Sequence, residues 1–275
     1  MNELIQTLVQ TYDVTYASLW MAVAVGMAGG VAGVFVVLRR ESLLALVLPQ
    51  TSAVGAAVAL RYGLPVIPIA MSATALAMGV VAVARWKRFE ERVLPALYVG
   101  CMGLALLIIS GTAEHAHDIH NVLHGGDVYV TDAQLQWAIP TLLLVAGLIV
   151  VFWRRWVLIA QLPEAAQLAG AHPLKWHATF LVMLASLVIV GTSTCGMIMV
   201  LSALFLPAAT VLPWAKRLPG AMTCATLMSV VFVSGGYVLA VVQDWPFSHT
   251  VATLGLACAT ASQITRGALV LWRRQ

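Results

Sequence analysis

Residues 111–132 read GTAEHAHDIHNVLHGGDVYVTD and gather Glu114, His115, His117, Asp118, His120, His124, Asp127 and Asp132 between two long apolar runs. Four of the chain's seven histidines stand within ten residues there. Imidazole and carboxylate are the ligand set of zinc and related divalent ions. If the preceding helix continues past Ala113, His117, His120 and His124 fall at i, i+3 and i+7, on one face. Glu114 joins them three residues before His117. His115 and Asp118 make a second stripe, and Gly125-Gly126 stops the helix. We take Glu114, His115, His117, Asp118, His120 and His124 as candidate metal ligands. The plainer alternatives are a solvated loop with incidental histidines, or a landing surface for a partner protein.

The rest of the chain fixes where such a site can stand. Of 275 residues, 61% are hydrophobic and 9% charged, with mean hydropathy +0.93. Soluble domains carry about 25% charged residues, so this composition implies a polytopic membrane protein. The excess of 15 Lys+Arg over 11 Asp+Glu is read through loop asymmetry, with no nucleic-acid partner. Cys101, Cys195, Cys224 and Cys258 lie inside apolar runs without CxxC spacing, which supports neither a disulfide framework nor a zinc ribbon. The first residues hold acids and no basic n-region, so no cleavable signal peptide is expected.

A span needs roughly 20 apolar residues to cross a hydrocarbon core. Runs separated by charge fall at 17–38, 42–60, 64–84, 94–112, 135–153, 177–190, 191–211, 220–242 and 250–271. They are too long and unbroken for barrel strands. The expectation is an all-α transmembrane bundle of eight or nine helices, in one domain covering residues 1–275. The uncertain count comes from Gly191–Thr194, read as a tight turn or a break in one tilted helix. Alternate connections hold Arg39/Arg40, Arg85/Lys87/Arg88/Arg92, Arg154/Arg155/Lys175, Lys216/Arg217 and Arg273/Arg274. The positive-inside rule places these and the C-terminus in the cytoplasm, and the His-rich stretch outside. Gly26, Gly29, Gly30 and Gly33 let helices approach closely.

Two further segments stand out. In residues 154–175, Pro163 suits a first helical position, Glu164 complements its dipole, and Gly170 with Pro173 ends the run. A short helix at the cytoplasmic face results, either an inert connector or a docking knob. Pro207 removes a backbone hydrogen bond near the end of its span.

Here the sequence resembles a family. Residues Gly33-Val34-Phe35-Val36-Val37-Leu38-Arg39-Arg40-Glu41-Ser42, then Ser52-Ala53-Val54-Gly55, look like the first two helices of the membrane permeases of zinc, manganese and iron ABC importers. Pro163-Glu164-Ala165-Ala166 with Gly170 looks like their cytoplasmic coupling segment. Leu204-Phe205-Leu206-Pro207-Ala208-Ala209-Thr210 looks like their proline-containing helix end. Leu123-His124-Gly125 before Val130-Thr131 sits at their external loop. The order agrees across about residues 20–270.

The resemblance implies a homodimeric permease in a bacterial inner membrane, served by cytoplasmic ATPase subunits and an extracytoplasmic metal-binding protein. Pro163, Glu164, Ala166 and Gly170 would couple to the ATPase. The family's intramembrane Asp and His, four residues apart, align with Leu46 and Gln50. Leu46 cannot bind a metal, and Gln50 is a neutral oxygen ligand. Other candidates for the ion path are Cys195, Met197 and Met199, with His172 and His177 at the other end of their span. Sulfur side chains also serve as ordinary packing.

The leading expectation is an importer permease for a divalent transition metal, zinc first and manganese second, working by alternating access. It is not an enzyme: no G-x-x-x-x-G-K-[ST] is present, ATP belongs to a partner, and no cofactor of its own is expected. The alternative is a membrane-embedded metal sensor or metalloenzyme using the His-rich stretch. Against it, E-H-A-H has the wrong order for H-E-x-x-H.

Overall fold

Lipid leaves no water to satisfy backbone groups, so every spanning segment must close its hydrogen bonds internally. The computed structural model describes residues 2–87, 90–110, 130–161 and 172–272. Among them it contains nine helices and no strand. These are α1 (Asn2–Leu38), α2 (Ser42–Tyr62), α3 (Val66–Trp86), α4 (Glu90–Ser110) and α5 (Asp132–Gln161), then α6 (Pro173–Cys195), α7 (Met197–Val211), α8 (Leu218–Gln243) and α9 (Phe247–Trp272). Seven of them, α1 to α6 and α8, are long and apolar enough to cross a membrane. The 15-residue α7 is shorter, and α9 carries Gln263, Arg266 and several hydroxyls.

Element ends follow local chemistry. Gly63, at φ 63°, ends α2 in the left-handed region and returns its N–H to Ala59 and Leu60 carbonyls. Pro173 opens α6 from the extended residue His172. Asp244, at φ 53°, closes α8. The first span, Tyr16–Leu38, begins where expected, within a helix that starts at Asn2. Helix α5 runs on beyond its expected end to Gln161, carrying Arg154 and Arg155 within the helix. The break expected at Gly191–Thr194 lies instead at Gly196, because residues 191–195 continue α6. Gly196 has φ 81° and ψ 163°, a region open essentially to glycine alone.

Helix α1 is the axis. It packs chiefly on α7 and α8, with α5 and α6 beside them. Four glycines make this possible on two faces. A methyl at Gly29 would stand 2.7 Å from the Ala203 Cβ, and one at Gly33 would fall on the Leu204 carbonyl, both on α7. Methyls at Gly26 and Gly30 would meet Ser229 and Ala225 of α8 at 3.0 Å. Helices α2, α3 and α4 form a second group, packed chiefly on one another, and reach the first group through α6 and α7. Gly55 of α2 lies so close to α3 that a methyl there would be 2.6 Å from the Ala70 Cα. Helices α3 and α4 turn Leu76, Val83, Val99, Leu104 and Leu107 outward. Such apolar surface suits lipid rather than water.

Side-chain bonds distinguish two ends. At one, Arg39, Glu41, Arg85, Glu90 and His177 come together from the ends of α1 and α3 and the starts of α2, α4 and α6. At the other, Arg61 donates to the Ile108 carbonyl at 3.1 Å and Ser248 donates to the Cys195 carbonyl at 3.3 Å. The first is called the basic end below. Gly33→Ala should overpack the α1–α7 contact and cost at least about 1–3 kcal/mol, and Gly196→Ala a similar amount from backbone strain. Both should lower the melting temperature of the detergent-solubilised protein, while Gly79→Ala, which meets nothing within 4 Å, should leave it unchanged.

Candidate ion path

Helix α2 is buried for most of its length from Leu44 to Ala59, apart from the half-buried Leu46, Val54 and Val58. A helix surrounded in this way is normally apolar throughout. This one instead carries Gln50, Thr51 and Ser52 in succession, at 0%, 2% and 1% exposure. Thr51 folds its hydroxyl back onto the Leu48 carbonyl at 2.9 Å and lies 3.5 Å from the Thr74 hydroxyl of α3. Pro49 has no N–H to give, so the regular ladder is interrupted beside Gln50. Neither the Oε1 nor the Nε2 of Gln50 has a hydrogen-bond partner. An unpaired buried amide costs about 1–3 kcal/mol.

Leu46 is half-buried on the same helix and offers no donor atom. Cys195 ends α6 and is buried, with the Thr194 hydroxyl 3.8 Å from its sulfur. Met199 is fully buried in a tight crevice with Ser202, Ser229 and Phe232, and Met197 is half-buried. These three stand at the end opposite the basic one. Gln50 is eight residues into α2, about 12 Å from the basic end, whereas Cys195 is some 33 Å along α6. The sulfur candidates and Gln50 are therefore separate levels of the bundle. They do not form one site. Among the described residues no group of three or more His, Cys, Asp or Glu side chains could hold a metal ion. The candidate ligands Glu114, His115, His117, Asp118, His120 and His124 lie outside the described residues, as do Pro163, Glu164, Ala166 and Gly170. Near the far end a cleft of about 340 Å³ opens between Leu60, Pro65, Ile67, Pro68, Trp137 and Ser193.

Of the cluster at the basic end, the sequence singled out His177 as an ion-path candidate, and not its grouping with Arg39, Glu41, Arg85 and Glu90. Its basic members read as topological punctuation. The available signal was that Glu41 and Glu90 stand beside them in a chain with so few acids. Arg39 Nε lies 3.5 Å from Glu41 Oε1, with side chains 6% and 8% exposed. Glu41 Oε1 lies 3.3 Å from His177 Nδ1. Arg39 also reaches Nδ1 of His177, while Arg85 reaches Nε2. Arg85 is paired in turn with Glu90 at 2.5 Å. Burial raises the Glu41 carboxyl above its ordinary range, and the positive charges of Arg39 and Arg85 pull it part of the way back. Burial likewise lowers the Arg39 guanidinium, opposed by Glu41. Beside the cluster, Phe35, Phe152, Trp156, Trp176 and Phe180 interlock, and the Arg39 guanidinium lies 4.7 Å from the Phe180 ring centre.

A bundle of apolar helices, seven of them of span length, is a multi-pass membrane protein. The chain belongs to the ABC 3 transport family, whose model matches residues 11–265. It is 26% identical over 238 residues to the manganese transport system membrane protein MntC of Halalkalibacterium halodurans, covering 85% of this chain and 81% of that one. It is 21% identical over 235 residues to the high-affinity zinc uptake system membrane protein ZnuB of Haemophilus influenzae, covering 85% and 90%. Its fold matches a chain of PsaBC from Streptococcus pneumoniae in complex with Fab with TM-score 0.84 at 19% identity, over 95% of this chain and 94% of the other.

Removing one member of a buried ion pair strands the other, which typically costs about 3–5 kcal/mol. Glu41→Ala should therefore lower the melting temperature more than the double change Arg39→Met with Glu41→Leu, which removes both charges. Thermal unfolding of the purified protein in detergent checks the order.

Proposed function

We propose that this chain is the permease of an ATP-driven importer of a divalent transition metal. Membership of the ABC 3 transport family over residues 11–265 carries this reading. The names of its relatives, one a manganese and one a zinc system, support the cargo class. Zinc was placed first on the His-rich stretch, and manganese stands equally beside it. In this reading residues 1–275 are one permease domain that works as a homodimer. The basic end and the C-terminus face the cytoplasm, as the distribution of arginine and lysine favours. A cytoplasmic ATPase engages Pro163, Glu164, Ala166 and Gly170, and an external binding protein delivers the ion near residues 111–129.

The ion then passes Cys195, Met197 and Met199 and reaches Gln50. A neutral carbonyl oxygen suits manganese better than zinc, and a site without strong ligands releases its ion readily. Alternating access completes the cycle: ATP binding by the partner opens the path outward, and hydrolysis returns it inward.

Three outcomes check this. Reconstituted with its ATPase and binding protein, the permease should take up manganese or zinc only with ATP; ATP-independent accumulation would sink the importer reading. The triple change His117→Ala, His120→Ala and His124→Ala should reduce uptake at limiting metal and spare it at saturating metal. Gln50→Leu should raise stability by about 1–3 kcal/mol, since it removes an unpaired amide, yet lower the uptake rate. Unchanged uptake would take Gln50 off the path.

A further inference from the structure

Among the described residues, the cluster at the basic end joins two groups of helices that otherwise touch chiefly along α2, α3, α6 and α7. One half of it is rigidly held. Arg39 closes α1 and His177 stands one turn into α6, and the interlocked rings of Phe35, Trp156 and Phe180 fix α1, α5 and α6 against each other. The other half, Arg85 paired with Glu90, closes α3 and opens α4. Glu41, which precedes α2, ties that helix to Arg39 and His177, and the bridge from α6 to α3 runs through the His177 ring.

That bridge has a limit set by chemistry. A neutral imidazole has one acceptor nitrogen and one N–H. Both ring nitrogens here face a guanidinium: Nδ1 faces Arg39, and Nε2 faces Arg85. The ring can accept from only one of them. With Nδ1–H donating to Glu41 Oε1, 3.3 Å away, Nε2 accepts from Arg85 and the halves are joined. With the tautomer reversed, Nδ1 accepts from Arg39 and Nε2–H points at a cation, so the halves part. Buried groups left without partners, Arg39 Nη1 and Glu41 Oε2, mark a network that is not fully satisfied. Native proteins seldom tolerate such groups without reason. This is a two-state element of the kind that switching transitions use.

The geometry points to a latch: the relay Arg39–Glu41–His177–Arg85–Glu90 clamps the α2–α3–α4 group to α6 at the basic end, and the inner mouth of the ion path opens when Arg85 leaves His177. The inference rests on the importer reading for its purpose, though its geometry stands alone. Two guanidinium groups across the mouth also repel a departing divalent cation while the latch is shut. Residues 162–171, read from sequence as the ATPase coupling segment, immediately precede α6.

The test uses the full permease with its ATPase in proteoliposomes. Arg85→Met and His177→Phe each remove the bridging hydrogen bond and should raise ATP-independent manganese flux about tenfold, the size expected for one hydrogen bond to a charged group. Arg85→Lys keeps a cationic donor and should restore the low flux. Flux at the unmodified level in both breaking variants would overturn the latch.

A second arm does not depend on transport. With Arg85→Cys and His177→Cys, a short bis-methanethiosulfonate reagent should bridge the pair when the ATPase is trapped with a non-hydrolysable ATP analogue, which holds the path open outward and the inner mouth shut. The yield should fall severalfold without nucleotide, when the path opens inward. Equal yields in both states mean that this end does not move, and the latch fails even if metal uptake is confirmed. If instead uptake proves absent while the yield changes with nucleotide, the latch stands and the cargo is wrong.

Discussion

The structure depends on how closely α1 approaches its neighbours. In a bilayer the hydrophobic effect gives helices no reason to associate, so contact must come from dispersion between backbones that can touch. Gly29 and Gly33 let α1 settle on Ala203 and Leu204 of α7, and Gly26 and Gly30 let it settle on Ser229 and Ala225 of α8. The first helix of the chain thereby becomes an axis fixed on two sides. Everything that must move has to move relative to it.

Helices α2, α3 and α4 are the group least tied to that axis. Consecutive helices α1 and α2 scarcely touch each other, although only three residues separate them. What joins them at the basic end is charge: Arg39 and Glu41 on the link, His177 on α6, and Arg85 with Glu90 beyond. Charges are costly in such surroundings, so a protein that retains them there gains a joint that can be made and broken. Packed methyls would hold the same halves together more firmly and would not release them.

Much of this was legible in advance and some was not. The helices could be read because apolar runs of span length leave no other backbone arrangement in lipid. The break between α6 and α7 was misplaced because Gly191 looks like the interruption, while α6 in fact absorbs it and stops at Gly196. Sequence spacing cannot tell a glycine chosen for packing from one chosen for φ. Gly191, where a methyl would stand 2.6 Å from a Val200 methyl, is the first kind, and Gly196 at φ 81° is the second.

By itself the sequence determined that the chain is a helical membrane protein, where its spans fall, and which family it joins. Those properties rest on composition and on the order of local motifs, which short-range physics enforces. Only the tertiary structure decided that Gln50 sits buried with both amide atoms unpaired, and that its level differs from that of Cys195, Met197 and Met199. The same holds for His177, which meets Arg39 and Arg85 across 138 and 92 residues of chain. Whether a polar group finds a partner depends on which helices lie beside it. Helix packing settles that, and no periodicity in the sequence records it.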